Sequence, residues 1–277
     1  MLYHLFHWLT KEGFKFPGSG LFEFITFRVM MAVILSLIIT TVYGKKLILY
    51  LQKKQLGESV RDLGLAGEKE KKGTPTMGGI IILLGILIPT FLLANLDKVY
   101  IRLMMLCTVW LGTIGFIDDI LKIRSKRAAQ AKGIAYQKSD SDGLAGRFKI
   151  FGQVMLGIIV GATLYFSPSV TVKREIVADN IESVKQRGDR VLKVDTVVID
   201  GKKHVLVNTK SLITTIPFVK SHEFNYANLL PESWEGYAYI LYIIIVIFIV
   251  TAVSNGANIT DGLDGLATGV SAVIGIC

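Results

Sequence analysis

Ile101 to Ile117 reads IRLMMLCTVWLGTIGFI and runs straight into Asp118 and Asp119. With its continuation to Leu121, the stretch matches the roughly 20 apolar residues needed to cross a hydrocarbon layer about 30 Å thick. Charge at the edge of such a helix is costly, and carboxylates held there usually mark an ion or substrate site. A second polar cluster, Asn255-Gly-Ala-Asn258-Ile-Thr-Asp261-Gly-Leu-Asp264-Gly265, follows another apolar run, Tyr237 to Val253. Two such clusters in one chain predict a membrane enzyme that handles a metal and a phosphate.

Composition agrees with the membrane reading. The 277 residues are 51% hydrophobic and only 19% charged, and the mean hydropathy is +0.50, outside the usual balance of a soluble domain. Further spans are predicted at Phe24 to Tyr43, Met77 to Leu96 and Phe148 to Phe166. With Ile101 to Leu121 and Tyr237 to Val253, they make five complete membrane helices. A sixth apolar run begins at Leu266 and reaches Cys277 after about twelve residues, too few to span, so it reads as the start of a sixth helix in a C-terminally incomplete protein. The predicted fold class is therefore an all-α polytopic membrane protein with three regions. Residues 1–166 hold helices one to four, residues 167–236 a small β-rich external insertion, and residues 237–277 the fifth helix, the acidic motif and the start of the sixth. Cys107 and Cys277 define no disulfide framework.

The formal charge of +9 would suggest nucleic acid in a soluble protein, but its distribution points to topology instead. Lys45, Lys46, Lys53 and Lys54 begin one basic loop that ends at Lys71-Lys72, and Lys122 to Lys149 bracket another. The positive-inside rule makes both loops cytoplasmic and the N-terminus external. Between Ser167 and Gly236, ten basic residues face nine acidic ones, and segments of that length translocate largely regardless of charge. Val191 to Ile199 and His204 to Val207 are β-branched and flank Asp200-Gly201, a favoured hairpin turn. His204 and His222 read as solvated side chains with no assigned chemistry. Alternating spans return Asp118, Asp119, the Asn255 to Gly265 stretch and the Lys71-Lys72 loop to one membrane face.

Neighbouring helical positions point about 100° apart, so Asp118 and Asp119 cannot both face one ligand unless the helix frays. That geometry suits one carboxylate holding a cation while the other orients a group or accepts a proton; the bland alternative is a wetted helix end. In the second cluster Asn255, Asn258, Asp261 and Asp264 recur every third residue, a slowly winding helical stripe. Gly256, Gly262 and Gly265 beside them let backbone approach a ligand. Hard oxygen donors of this kind suit Mg²⁺; the alternative is a helix-breaking loop with chance acids. Lys71-Lys72-Gly73-Thr74-Pro75-Thr76-Met77-Gly78-Gly79 supplies cations and hydroxyls that fit a diphosphate, or else topogenic charge before a Pro-initiated helix. The order of a P-loop is absent.

Lys71 to Gly79, Gly115-Phe116-Ile117-Asp118-Asp119 and Asn258 to Ala267 together resemble the polyprenyl-phosphate N-acetylhexosamine-1-phosphate transferases, and Gly73 to Gly79 resembles their muramoyl-pentapeptide branch. The resemblance implies ten membrane helices, Mg²⁺ as cofactor and a cytoplasmic active site in the bacterial inner membrane. It implies transfer of phospho-N-acetylmuramoyl-pentapeptide from its UDP conjugate to undecaprenyl phosphate, a homodimer, and no nucleic-acid partner. By that likeness Asp118, Asp119 and Asp261 are catalytic. Lys71, Thr76, Asn255, Asn258, Gly262, Leu263 and Asp264 contact substrate, and Asp118, Asp119 and Asn255 are candidate metal ligands. A further aspartate and a histidine-rich loop are implied beyond Cys277. The lysine that often precedes Gly-Leu in these proteins is replaced here by Asp142, which leaves Lys132, Lys138 and Lys149 as candidates for its role. A sister enzyme loading another sugar phosphate shares the same chemistry. A secondary transporter would also place carboxylates at membrane depth, although these acids cluster at span ends and no inverted repeat is visible.

Overall fold

The computed structural model describes residues 1–14, 17–53, 77–132, 144, 146–176, 190–199, 202–210, 213–215, 223–231, 236–260 and 265–276. Among the described residues, four helices are long and apolar enough to cross a membrane: Ile25–Leu51, Val99–Ala129, Gly146–Phe166 and Ala238–Thr260. The chain divides into two compact units, Met1–Gly152 and Gln153–Cys277.

The first unit opens with a short helix, α1 (Leu2–Lys11). Its His4 Nε2 accepts a hydrogen bond from the Leu96 amide at 3.2 Å, and Arg28 lies 4.4 Å over the Tyr3 ring. The first long helix consists of α2 (Ile25–Ile38), a π-turn at Ile39–Tyr43, and α3 (Gly44–Lys53). Thr40 and Thr41 hydroxyls donate back to the carbonyls of Ser36 and Leu37 at 2.9 and 2.6 Å.

The next apolar run forms α4 (Gly79–Leu93), a helix of 15 residues. At 1.5 Å per residue it is about 22 Å long, shorter than the Met77–Leu96 span expected from hydropathy. The structural reason is turn chemistry at both ends. Met77 has φ 72° and makes a turn with Gly78; Ala94 is extended, and Asn95 Oδ1 accepts from the Asp97 amide at 3.0 Å. Small residues set the close packing around α4. A Cβ at Gly85 would lie 2.8 Å from Thr40 Cγ2 of the π-turn.

The helix that carries the acidic pair is α5 (Val99–Ala131), with 33 residues. A Cβ at its Gly112 would stand 2.8 Å from Leu83 of α4, whereas Gly115 faces open space. Helix α6 (Gly146–Phe166) begins in this unit, where Trp110 Nε1 donates to the Gly152 carbonyl at 2.9 Å.

In the second unit α6 packs on α7 (Ala238–Thr260) through Gly157 and Gly161. Cβ atoms there would sit 2.7 Å from Ile247 Cα and 3.2 Å from Ile243 Cα, the close backbone approach that small-xxx-small spacing permits. Tyr165 meets Tyr239 at 5.7 Å between ring centroids, and Tyr226 meets Tyr242 at 6.2 Å. Between these helices, β1 (Val172–Ile176), β2 (Arg190–Ile199) and β3 (Lys202–Lys210) form an antiparallel sheet in the order β1-β3-β2. Its β2 strand carries an irregularity between Val191 and Lys193. Pairing of Ile199 with Lys202 fits a two-residue connection at 200–201, which itself lies outside the described residues. Val205 and Val207 are buried. Two short strands, β4 (Ile213–Thr215) and β5 (Glu223–Asn225), pair antiparallel. The last helix is α8 (Leu266–Ile276), with Gly265 at φ 78° before it.

Candidate active site

Buried polar side chains carry more information than exposed apolar ones. Among the described residues they are Ser19, Asp118 and Gln153. Asp118 organises a polar cluster in the first unit, and Gln153 organises another in the second.

Asp118 sits well inside α5, not at its end. The helix continues to Ala131 because Lys122 to Ala131 is composed mainly of residues with good helical propensity, so the backbone does not fray where hydropathy falls. Asp118 and Asp119 therefore keep the roughly 100° divergence of adjacent helical positions. Asp118 is buried and Asp119 partly exposed.

Three donors converge on the Asp118 carboxylate. Lys122, one turn later, places Nζ 2.7 Å from Oδ2. Lys149, on the first turn of α6, places Nζ 2.9 Å from Oδ1, and the Leu144 amide donates to Oδ1 at 2.8 Å. Such charge-assisted bonds are among the stronger ones a protein makes. The Asp118 carboxylate thus holds two ammonium groups together, an arrangement able to meet an anionic group such as a phosphate oxygen. Of the three lysines proposed from sequence, Lys149 lies on Asp118, Lys132 is exposed, and Lys138 lies outside the described residues.

In the second unit, Gln153 on α6 faces Asn255 on α7. Asn255 Nδ2 donates to Gln153 Oε1 at 3.0 Å and to the Thr251 carbonyl at 2.9 Å. Gln153 Nε2 donates to Ser254 Oγ at 3.0 Å and to Asn255 Oδ1 at 3.4 Å. Asn258 lies one turn further along α7 and is exposed, and Gly256 opens onto free space. The helical half of the three-residue stripe is thus present on α7, while Asp261, Gly262, Leu263 and Asp264 lie outside the described residues. So do Lys71 and Thr76.

Met77 just after them is strained, since a left-handed φ of 72° is uncommon for any residue with a Cβ. Strain of this kind clusters at ligand clamps and active sites. Lys122 and Gln153 were not singled out from sequence. The i,i+4 spacing of Asp118 and Lys122 is a readable signal for the first, and a lone amide in an apolar helix a weaker one for the second.

As donors for a hard cation, the groups differ. Asp118 already receives two ammonium groups and an amide. Asn255 has both amide protons engaged by carbonyl oxygens, so any further contact it makes is through Oδ1, which fits a hard cation. No cluster of three or more His, Cys, Asp or Glu side chains able to hold a metal occurs among the described residues.

Comparison with known proteins agrees with these motifs. A family profile described as glycosyl transferase family 4 matches residues 193–277. A second, described as phospho-N-acetylmuramoyl-pentapeptide-transferase signature 1, matches residues 71–83. The chain is 49% identical over 277 residues to a protein of Flavobacterium psychrophilum named phospho-N-acetylmuramoyl-pentapeptide-transferase, covering 99% of this chain and 61% of that protein. It is 48% identical over 281 residues to the protein of the same name from Parabacteroides distasonis, covering 100% of this chain and 59% of the relative. The chain therefore spans about three-fifths of the length of these curated relatives. Identity close to one half along the whole of this chain, together with the signature at 71–83, makes it similar to the phospho-N-acetylmuramoyl-pentapeptide-transferases over about three-fifths of their length.

Proposed function

We propose that the protein transfers phospho-N-acetylmuramoyl-pentapeptide from its UDP conjugate to undecaprenyl phosphate, releasing UMP and forming a lipid-linked peptidoglycan precursor. The observation that carries this reading is the 49% identity to a relative bearing that name across nearly the whole chain. The proposed setting is the bacterial inner membrane, with the polar motifs facing the cytoplasm, the N-terminus outside and a homodimeric assembly. The two basic loops support that orientation.

In the reaction, an oxygen of the lipid phosphate forms a bond to the sugar-bearing β-phosphorus. The bond from that phosphorus to the bridging oxygen breaks, and UMP departs with the electron pair. Because the second pKa of a phosphomonoester is about 6, the nucleophile is already largely anionic at neutral pH. The main demand on the protein is to bring two anions together and stabilise spreading charge.

Lys122 and Lys149 suit that demand, and we assign to Asp118 the task of holding their ammonium groups in place. Lys71, Thr76, Asn258, Gly262, Leu263 and Asp264 are assigned to the nucleotide sugar, with Asp261 joining the acidic pair in catalysis. Mg²⁺, when bound, would neutralise phosphate charge as a Lewis acid. Asp118, Asp119 and Asn255 remain the donors that the resemblance implies for it; a cation contact at Asp118 would have to exchange with an ammonium group.

The test supplies the purified protein in lipid–detergent micelles with undecaprenyl phosphate, Mg²⁺ and either UDP-N-acetylmuramoyl-pentapeptide or UDP-N-acetylglucosamine, and follows UMP. Release confined to the first donor and abolished by chelation supports the proposal. Preference for the second identifies a sister transferase, and ion flux in proteoliposomes without UMP release would favour a transporter.

A further inference from the structure

Gln153 is a buried amide on a membrane helix, and its hydrogen bonds are directed at a single candidate ligand and that ligand's neighbour. An asparagine side chain has two ends of similar shape and opposite character, and its orientation is set by the bonds around it. At Asn255 those bonds are decisive. Its Nδ2 faces two oxygens that can only accept, Thr251 O at 2.9 Å and Gln153 Oε1 at 3.0 Å. Turning the amide over would set Asn255 Oδ1 against both.

Gln153 is itself held one way round. Its Nε2 donates to Ser254 Oγ at 3.0 Å and, more weakly, to Asn255 Oδ1 at 3.4 Å. With both protons of Asn255 committed, the side chain has no donor left for a ligand. What it has left is acceptor capacity on Oδ1.

We infer that Gln153 is a positioning residue: through its paired hydrogen bonds with Asn255, added to the Thr251 contact, it fixes which way round the asparagine amide sits and keeps Oδ1 as its ligand atom for a divalent cation. Asn255 thereby acts as an electron-pair donor and not as a hydrogen-bond donor to phosphate. This rests on the cation role proposed for Asn255. Residues that orient a metal ligand typically contribute 10–100-fold to metal affinity. Replacing Gln153 by the similarly sized, apolar methionine removes both of its bonds to Asn255 and leaves the Thr251 carbonyl to hold the asparagine amide, which loosens its last torsion.

The experiment measures Mn²⁺ binding to the purified, micelle-bound protein from the electron paramagnetic resonance signal of the free ion, with no substrate present. Gln153→Met is expected to weaken Mn²⁺ binding at least tenfold. Ser254→Ala, which removes one bond to the same Gln153 nitrogen but leaves the amide pair, is expected to stay within twofold of wild type. In an Asn255→Ala background, Gln153→Met should add nothing, because coupled groups are non-additive. Equal effects of Gln153→Met and Ser254→Ala, an unchanged affinity in Gln153→Met, or a full additional loss in the double variant would overturn the inference. If Gln153→Met does not reach the membrane fraction, Asn255→Ala decides alone, and unchanged Mn²⁺ affinity there overturns it. Since binding is read without turnover, failure of the transferase reading would appear separately, as wild-type protein that binds Mn²⁺ but releases no UMP.

Discussion

Alanine substituted at three helical glycines, Gly157, Gly161 and Gly115, should separate close helix packing from simple helix propensity. At Gly157 the new Cβ would lie 2.7 Å from Ile247 Cα, a backbone atom that cannot rotate away. Restoring an ordinary contact of about 3.5–4.0 Å requires α6 and α7 to separate locally by roughly 1 Å. Overpacking of that kind costs about 1–3 kcal/mol, against a gain of about 1 kcal/mol from replacing a helical glycine. Gly157→Ala should therefore lose up to about 2 kcal/mol. At Gly161 the nearest atom is Ile243 Cα at 3.2 Å, so a shift of a few tenths of an ångström suffices, and the two effects nearly cancel. Gly115 has nothing within 4 Å and should show the propensity gain alone.

The assay is thermal unfolding in detergent, followed by loss of the monodisperse peak on size exclusion after heating. Near 2–4 °C per kcal/mol for a chain of this class, Gly157→Ala should fall several degrees below wild type, Gly161→Ala should match it, and Gly115→Ala should rise slightly. A melting midpoint for Gly157→Ala equal to or above that of Gly161→Ala would refute the claim that backbone contact at Ile247 sets the spacing of α6 and α7.

Three further outcomes test the first unit. Lys149→Met removes a charge-assisted bond of the 1.5–3 kcal/mol class from Asp118 and, on the proposed transferase reading, should lower kcat/KM for UMP release by about 10–100-fold, while Lys132→Met stays within twofold. Trp110→Phe deletes the 2.9 Å bond to the Gly152 carbonyl and should cost about 1 kcal/mol, read as a melting point lower by a few degrees. Met77→Gly relieves a left-handed conformation that costs a side-chain-bearing residue about 1–2 kcal/mol, so its melting midpoint should not fall below that of wild type.

Hydropathy located the long helices because burial in lipid and apolar composition are the same requirement, but it placed several ends wrongly. Apolar character stops at Leu121 and at Val253, while backbone hydrogen bonding continues to Ala131 and Thr260, since helices do not require apolar side chains to propagate. Conversely, Leu96 is apolar yet outside α4, because Asn95 and Asp97 offer the chain a turn of their own. Asp118 was legible as a charge at the edge of an apolar run. Its second ammonium partner was legible only as one of three candidate lysines: Lys149 is remote in sequence, and only the approach of α6 to α5 singles it out. Gln153 was hidden for the same reason, since pairing two amides across helices depends on their rotation about their own axes, which composition does not encode. The glycines at 112 and 115 look alike in sequence, yet only the first has a neighbour close enough to make its lack of a side chain matter.

The π-turn at Ile39–Tyr43 accommodates one more residue per turn than a regular α-helix would. It therefore works as a phase adjuster within a single continuous rod. Just before it Ser36, and within its first residues Thr40, border Gly85; downstream, Gly44 borders Ile81. Without the wider turn, each later side chain would be swung by about 100° around the axis, and these two contacts could not both point toward α4. Insertions and deletions in this part of the chain would thus act as rotations, turning Lys45 and Lys46 to a different azimuth without changing a single side chain.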